Sequence, residues 1–115
     1  MSGRFPKRGE IWTVDFNPGR GSEQRGLRPA LVLQNDVGNE FAGTTIVAAI
    51  TSTVRPYPVT VHLKGGEGGL AQESMVNLAQ LLTADKQRLV RRLGSLPSSR
   101  MQQVEAALRI SLGLA

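Results

Sequence analysis

Residues 29–50 read PALVLQNDVGNEFAGTTIVAAI, two short apolar runs on either side of a polar, glycine-containing connection. The second run, TTIVAAI at 44–50, is continuous and too short for a buried helix, so it reads as a buried strand. The first enters through Pro29, which a strand tolerates at its first residue, and runs to Asn35. Joined antiparallel across an eight-residue loop at 36–43, with Asn35 opposite Thr44, the strands pair residues whose numbers sum to 79. That register sets Arg28 opposite Thr51, a guanidinium and a hydroxyl meeting at one end of the sheet.

Outward from this hairpin the chain alternates strands and turns. Residues 10–16 (EIWTVDF) are rich in β-branched and aromatic side chains and end in Asn17-Pro18-Gly19, so they read as a strand and a turn. A glycine-rich loop at 19–28 leads into the hairpin. Residues 58–63 alternate, Val59, Val61 and Leu63 against Thr60 and His62, as a half-buried strand does. The GGEGG tract at 65–69 reads as a hairpin connection, residues 73–82 as a further strand, and residues 90–96 as the last one. Thr83 and Asp85 are candidate caps for a short helical turn through Leu89. After Pro97, the spacing of Met101, Val104, Leu108 and Leu112 predicts an amphipathic helix. The expected fold is mainly β with α, a small curled antiparallel sheet or barrel with a C-terminal helix packed on it.

Composition limits what such a fold can do. The 115 residues suit a single domain, 1–115, and about half the composition is apolar or glycine, the globular norm. There is no cysteine, hence no disulfide, thiolate metal site or cysteine nucleophile, and one histidine excludes a multi-histidine site within one chain. No run is apolar enough to span a membrane and residues 1–8 lack a signal peptide's apolar centre, so a cytoplasmic protein is expected. Fourteen Lys and Arg oppose nine Asp and Glu, and eleven of the cations are arginine, the residue suited to forked contacts with phosphate. Charge is uneven: residues 1–28 carry six cations and three anions, residues 29–85 two and five, residues 86–115 six and one. The two basic ends are the places to seek phosphate binding.

Five segments, RGEIWTVDF (8–16), GSEQRGLRPALVLQND (21–36), IVAAITS (46–52), YPVTV (57–61) and DKQRL (85–89), are similar, in order, to the MazF/PemK family of toxin endoribonucleases. The GSEQ…RP segment is the most specific of them. The resemblance implies an SH3-like barrel, a homodimer, cleavage of single-stranded RNA at short sequences without metal or cofactor, and neutralisation by an antitoxin. The family's catalytic arginine, which precedes proline, falls on Arg28, and its active-site threonine, which ends an apolar strand, falls on Thr51. Its loop residues fall on Ser22, Glu23 and Gln24, which would shape the site and meet RNA. The family's common acidic residue and arginine around a glutamine are here Ala79 and Leu82, while Gln80 survives; that departure bears on base preference and on a dimer salt bridge. The antitoxin implied would carry an acidic, partly disordered tail that folds into the basic groove.

The chemistry asks little of the protein, because RNA brings its own nucleophile. The 2′-hydroxyl must be aligned, the phosphorane stabilised and the 5′-oxygen helped to leave. Arg28 can donate to two phosphate oxygens but does not give up its own proton, so it suits electrostatic stabilisation and not general-base work. Thr51 can orient an oxygen, and Glu23 is the nearby group able to accept a proton.

Other features read as structure. His62 suits a solvated strand position, Trp12 core packing, and the glycine-rich segments lack the Lys-Ser/Thr ending of a phosphate loop. Arg88, Arg91 and Arg92 form a basic run that suits RNA phosphates and a solvated face equally well. Two other functions compete: a non-catalytic barrel that holds RNA or a peptide, and a gyrase-directed toxin, disfavoured because the chain ends SLGLA without an aromatic or charged residue.

Overall fold

A computed structural model describes residues 5–17, 26–55 and 57–115. Six strands form one sheet: β1 (Glu10–Asp15), β2 (Leu27–Val32), β3 (Thr44–Thr51), β4 (Thr60–Leu63), β5 (Ser74–Asp85) and β6 (Leu89–Ser95). Their order is β4-β5-β3-β2-β1-β6, and every neighbouring pair is antiparallel. A short helix, α1 (Asp36–Phe41), joins β2 to β3, and α2 (Ser98–Leu112) ends the chain.

The central hairpin adopts the expected register. Ala30 pairs with Ala49, Leu31 with Ala48 and Val32 with Val47, each sum being 79. Two details differ from the sequence reading. β2 begins at Leu27, so Pro29 is its third residue and not its first; pairing with β1 runs from Leu27, but pairing with β3 starts only at Ala30. The connection at 36–43 is not an open loop, and Asn35 caps α1 instead of pairing with Thr44. Its side chain accepts the Gly38 N–H at 2.8 Å, which satisfies one donor of the helix's free first turn.

Alternation along β2 and β3 gives the sheet two apolar faces. One carries Ile11, Leu31, Ala48, Ile50, Val61, Leu63, Val76 and Leu78, and α2 covers it with Met101, Val104 and Ala107. Full burial of a side chain such as Leu63 or Leu78 contributes about 1.5–3 kcal/mol. The opposite face holds a smaller cluster, Val14, Ala30, Val32, Val47 and Ala84, flanked by half-buried Trp12 and Phe16. The core role expected of Trp12 is thus partial: its ring packs at the edge of this cluster while its indole N–H donates to Glu10 at 2.9 Å. Along α2 the expected stripe also shifts. Leu112, the helix's last residue, is exposed, and Gly113, whose left-handed φ of 70° closes the helix, follows it.

The sheet curls without closing, and among the described residues β4 and β6 remain its edges. The GGEGG tract joins β4 to β5 as expected, but it does more than turn. A 3-10 turn over Glu67–Gly69 brings this connection against β6 backbone to backbone. A Cβ at Gly69, whose φ is 80°, would collide with the Leu93 carbonyl, and one at Gly94 would stand 2.6 Å from the Gly68 backbone. Arg100 on α2 donates to Glu67 at 2.7 Å and ties the turn to the helix. A second 3-10 turn, Lys86–Arg88, follows β5; Thr83 lies inside the strand, and Asp85 sits at the cap position without a capping hydrogen bond. No described helix is long and apolar enough to cross a membrane.

Candidate active site at the open end of the sheet

Beyond Ala30 and Ala49 the β2–β3 ladder stops, and the strand ends part around a cavity of about 400 Å³. β2 supplies Leu27, Arg28 and Pro29; β3 and the residue after it supply Ile50, Thr51 and Ser52. The chain leaving the GGEGG turn adds residues 69–72 and Ser74, and β6 adds Arg91 and Leu93. Buried Ile50 and Leu70 and exposed Leu27 give the cavity an apolar share beside its polar groups. The close glycine contact with β6 is what sets this far wall in place.

The register that joined Arg28 to Thr51 on paper therefore delivers both to one cavity. Thr51 Oγ1 accepts the Thr53 N–H at 3.1 Å, which fixes the oxygen while the hydroxyl proton has no acceptor among the described residues. Ser74 Oγ donates to the Gln72 carbonyl at 2.9 Å and holds the Gln72 turn at the rim. Two arginines and no carboxylate or histidine line the cavity among the described residues, so its field favours an anion. No described cluster of His, Asp or Glu has the makings of a metal site.

Other sequence-predicted residues fall elsewhere. Ser22, Glu23 and Gln24 lie outside the described residues. Gln80 does not line the cavity; it is half-buried in the irregular part of β5 between Asn77 and Leu81, where the pairing with β3 shifts register. His62 is a surface strand residue, as expected, its Nε2 2.6 Å from Glu73 Oε2. The basic run splits three ways. Arg88 donates to the backbone carbonyls of Asp15, at 3.1 Å, and Asn17; Arg92 pairs with Glu10 at 2.8 Å; Arg91 alone reaches the cavity. Ser52 and Gln72 were not singled out by the sequence. Ser52 adjoins Thr51 and could have been included on that ground, whereas nothing local to Gln72 signals its position.

A family model for PemK-like, MazF-like toxins of type II toxin-antitoxin systems matches residues 7–112. The chain belongs to this family. Endoribonuclease EndoA of Bacillus subtilis (strain 168) is 44% identical over 110 residues, spanning 94% of this chain and 95% of its own. Among solved structures, an endoribonuclease in complex with its cognate antitoxin from a mycobacterial species superposes with a TM-score of 0.82 at 25% identity, covering 96% of this chain and 97% of that one. MazF from Deinococcus radiodurans gives a TM-score of 0.81 at 29% identity, covering 95% and 97%. The mainly β architecture with a C-terminal helix is that of the MazF structures.

Proposed function

We propose that this chain is the toxin of a type II toxin-antitoxin pair and a cytoplasmic endoribonuclease that cuts single-stranded RNA without a metal. The observation that carries the reading is the convergence of Arg28 and Thr51 on one cation-lined cavity, in a chain 44% identical to an endoribonuclease. In the proposed reaction the substrate's 2′-oxygen attacks the adjacent phosphorus, the bond to the 5′-oxygen breaks, and the products end in a 2′,3′-cyclic phosphate and a 5′-hydroxyl. Arg28 donates to the phosphate oxygens as negative charge builds on them, an interaction worth more in the transition state than in the ground state. Thr51, with its oxygen already held by the Thr53 N–H, directs its hydroxyl proton at a substrate oxygen. Glu23 is the proposed acceptor of the 2′-hydroxyl proton, the departing 5′-oxygen takes its proton from water, and Ser22 and Gln24, with Gln80 from outside the cavity, are proposed to meet the RNA and shape base preference.

Two partners accompany this reading. A second copy of the chain makes the working dimer, two-fold dimers being the commonest soluble oligomers. An antitoxin with an acidic, disordered tail would suit the positive cavity and silence it, folding as it binds. The test is to incubate purified protein with a long single-stranded RNA in the presence of a chelator and to identify both fragment ends. Discrete cuts with cyclic phosphate and 5′-hydroxyl ends, absent for Arg28→Ala, are expected. Salt-sensitive binding without cleavage would make the protein a non-catalytic RNA-binding barrel instead.

A further inference from the structure

The three arginines of residues 88–92 stand within one turn and one strand, yet only one of them has no polar partner among the described residues. Arg88 is spent on two backbone carbonyls and Arg92 on Glu10, whereas Arg91 is exposed and has no hydrogen bond or ion pair with any described residue. Arg91 also lines the same cavity as Arg28 and Thr51, with no described carboxylate there to neutralise it. The pairing places it further. Thr13 on β1 pairs with Pro29 on one side and with Arg91 on the other, so Arg91 lies two strands from the residue next to Arg28. Two strand spacings are about 10 Å. Two guanidinium groups rooted about that far apart, on two strands that line one cavity, suit successive charges of a polyanion better than a single phosphate.

The geometry points to Arg91 as a second phosphate-binding residue, one that grips the phosphate neighbouring the scissile one and so lays the RNA strand across the cavity from β2 to β6. The inference rests on the RNA-cleaving reading above. A contact to a non-reacting phosphate is equally strong in ground and transition states, so it lowers KM and leaves kcat alone. It also releases counterions on binding, which salt dependence reports.

The experiment measures cleavage kinetics of an RNA oligonucleotide and the salt dependence of binding to its uncleavable 2′-O-methyl analogue, for wild type, Arg91→Ala, Arg91→Lys and Arg92→Ala. Arg91→Ala is expected to raise KM about tenfold with kcat within about twofold, and to flatten the slope of log K against log salt by about 0.7. Arg91→Lys, which keeps the charge, should recover most of both effects; Arg92→Ala, whose guanidinium is already held by Glu10, should leave the slope unchanged. An unaltered KM and slope in Arg91→Ala would overturn the inference, as would a fall in kcat as large as the fall in kcat/KM, which would put Arg91 on the scissile phosphate. Wild-type protein that neither cuts nor binds RNA would refute the functional reading itself, a result visible before any variant is compared.

Discussion

The β2–β3 hairpin has two ends built on opposite principles. At the α1 end, polar groups are turned inward and matched. Asn39 is fully buried, and its side chain accepts from the Thr45 hydroxyl at 2.6 Å and the Gln34 amide at 3.2 Å while donating to the Gln34 carbonyl at 2.9 Å. Lys86 donates to the carbonyls of Asn39, at 2.6 Å, and Ala42, at 2.9 Å, which α1 would otherwise leave unmatched at its C-terminal end. At the other end the ladder stops early, and neither the Thr51 hydroxyl proton nor the Arg91 guanidinium on nearby β6, both lining the cavity, has a partner among the described residues. Matched polar groups hold a fold, and groups left facing a cavity wait for a ligand. The same two strands thus serve stability at one end and recognition at the other.

Breaking the open end should cost rate and spare the fold. Arg28→Ala is expected to slow single-turnover RNA cleavage by about 10²–10³-fold in protein that still folds, read by quenched-flow assays beside calorimetry. Breaking the closed end should do the reverse. Asn39→Ala takes the partner from the buried Thr45 hydroxyl and from the Gln34 carbonyl, while the Gln34 amide keeps Thr44, and is expected to destabilise by about 3 kcal/mol in urea unfolding, with the cleavage rate of the folded protein retained.

Gly69 sharpens the contrast because it belongs to both kinds of structure, a tight backbone contact that is also a cavity wall. Gly69→Ala must push the GGEGG turn off β6 and leave a left-handed φ, at a cost of about 2 kcal/mol, and it should also weaken RNA binding. A denaturation curve and a binding titration on one preparation check both halves. The smallest effect concerns Glu67, which anchors that turn. Its hydrogen bond from Arg100 holds the carboxyl below the ordinary carboxylate range, with the Lys64 N–H helping and partial burial opposing. A depressed native pKa stabilises above the unfolded value of about 4.3, and that contribution is lost as pH falls from there through the lowered native value. Stability measured from pH 6 down to about pH 3 should fall less steeply for Glu67→Gln, the difference staying under about 1 kcal/mol for a half-buried pair that solvent still reaches.

The sequence made one end of the hairpin more readable than the other. Register followed from alternation and loop length, so Arg28 and Thr51 could be brought together before any fold was known. The helix α2 showed itself through Met101, Val104 and Leu108, three and four residues apart. By contrast α1 has six residues, too few for a period to emerge, and its one local signal, the capping Asn35, also suits a turn. Arg91 could not be told from Arg88 and Arg92, because β6 meets β1 through two register shifts that no alternation of β6 itself reveals. The glycine contact was hidden for a related reason: Gly69 and Gly94 look like ordinary turn and strand glycines until the curl of the sheet brings them together. Gln80, whose segment reads as a plain strand, stands instead in the irregular stretch of β5.

The most direct test of this division is to titrate isotope-labelled protein with an uncleavable 2′-O-methyl RNA oligonucleotide and follow the backbone amide resonances. Shifts concentrated at Arg28, Thr51, Gln72 and Arg91, with Asn39, Thr45 and Lys86 unmoved, are the expected result. Shifts centred on α1 and Lys86, with the cavity between β2 and β6 silent, would contradict the account.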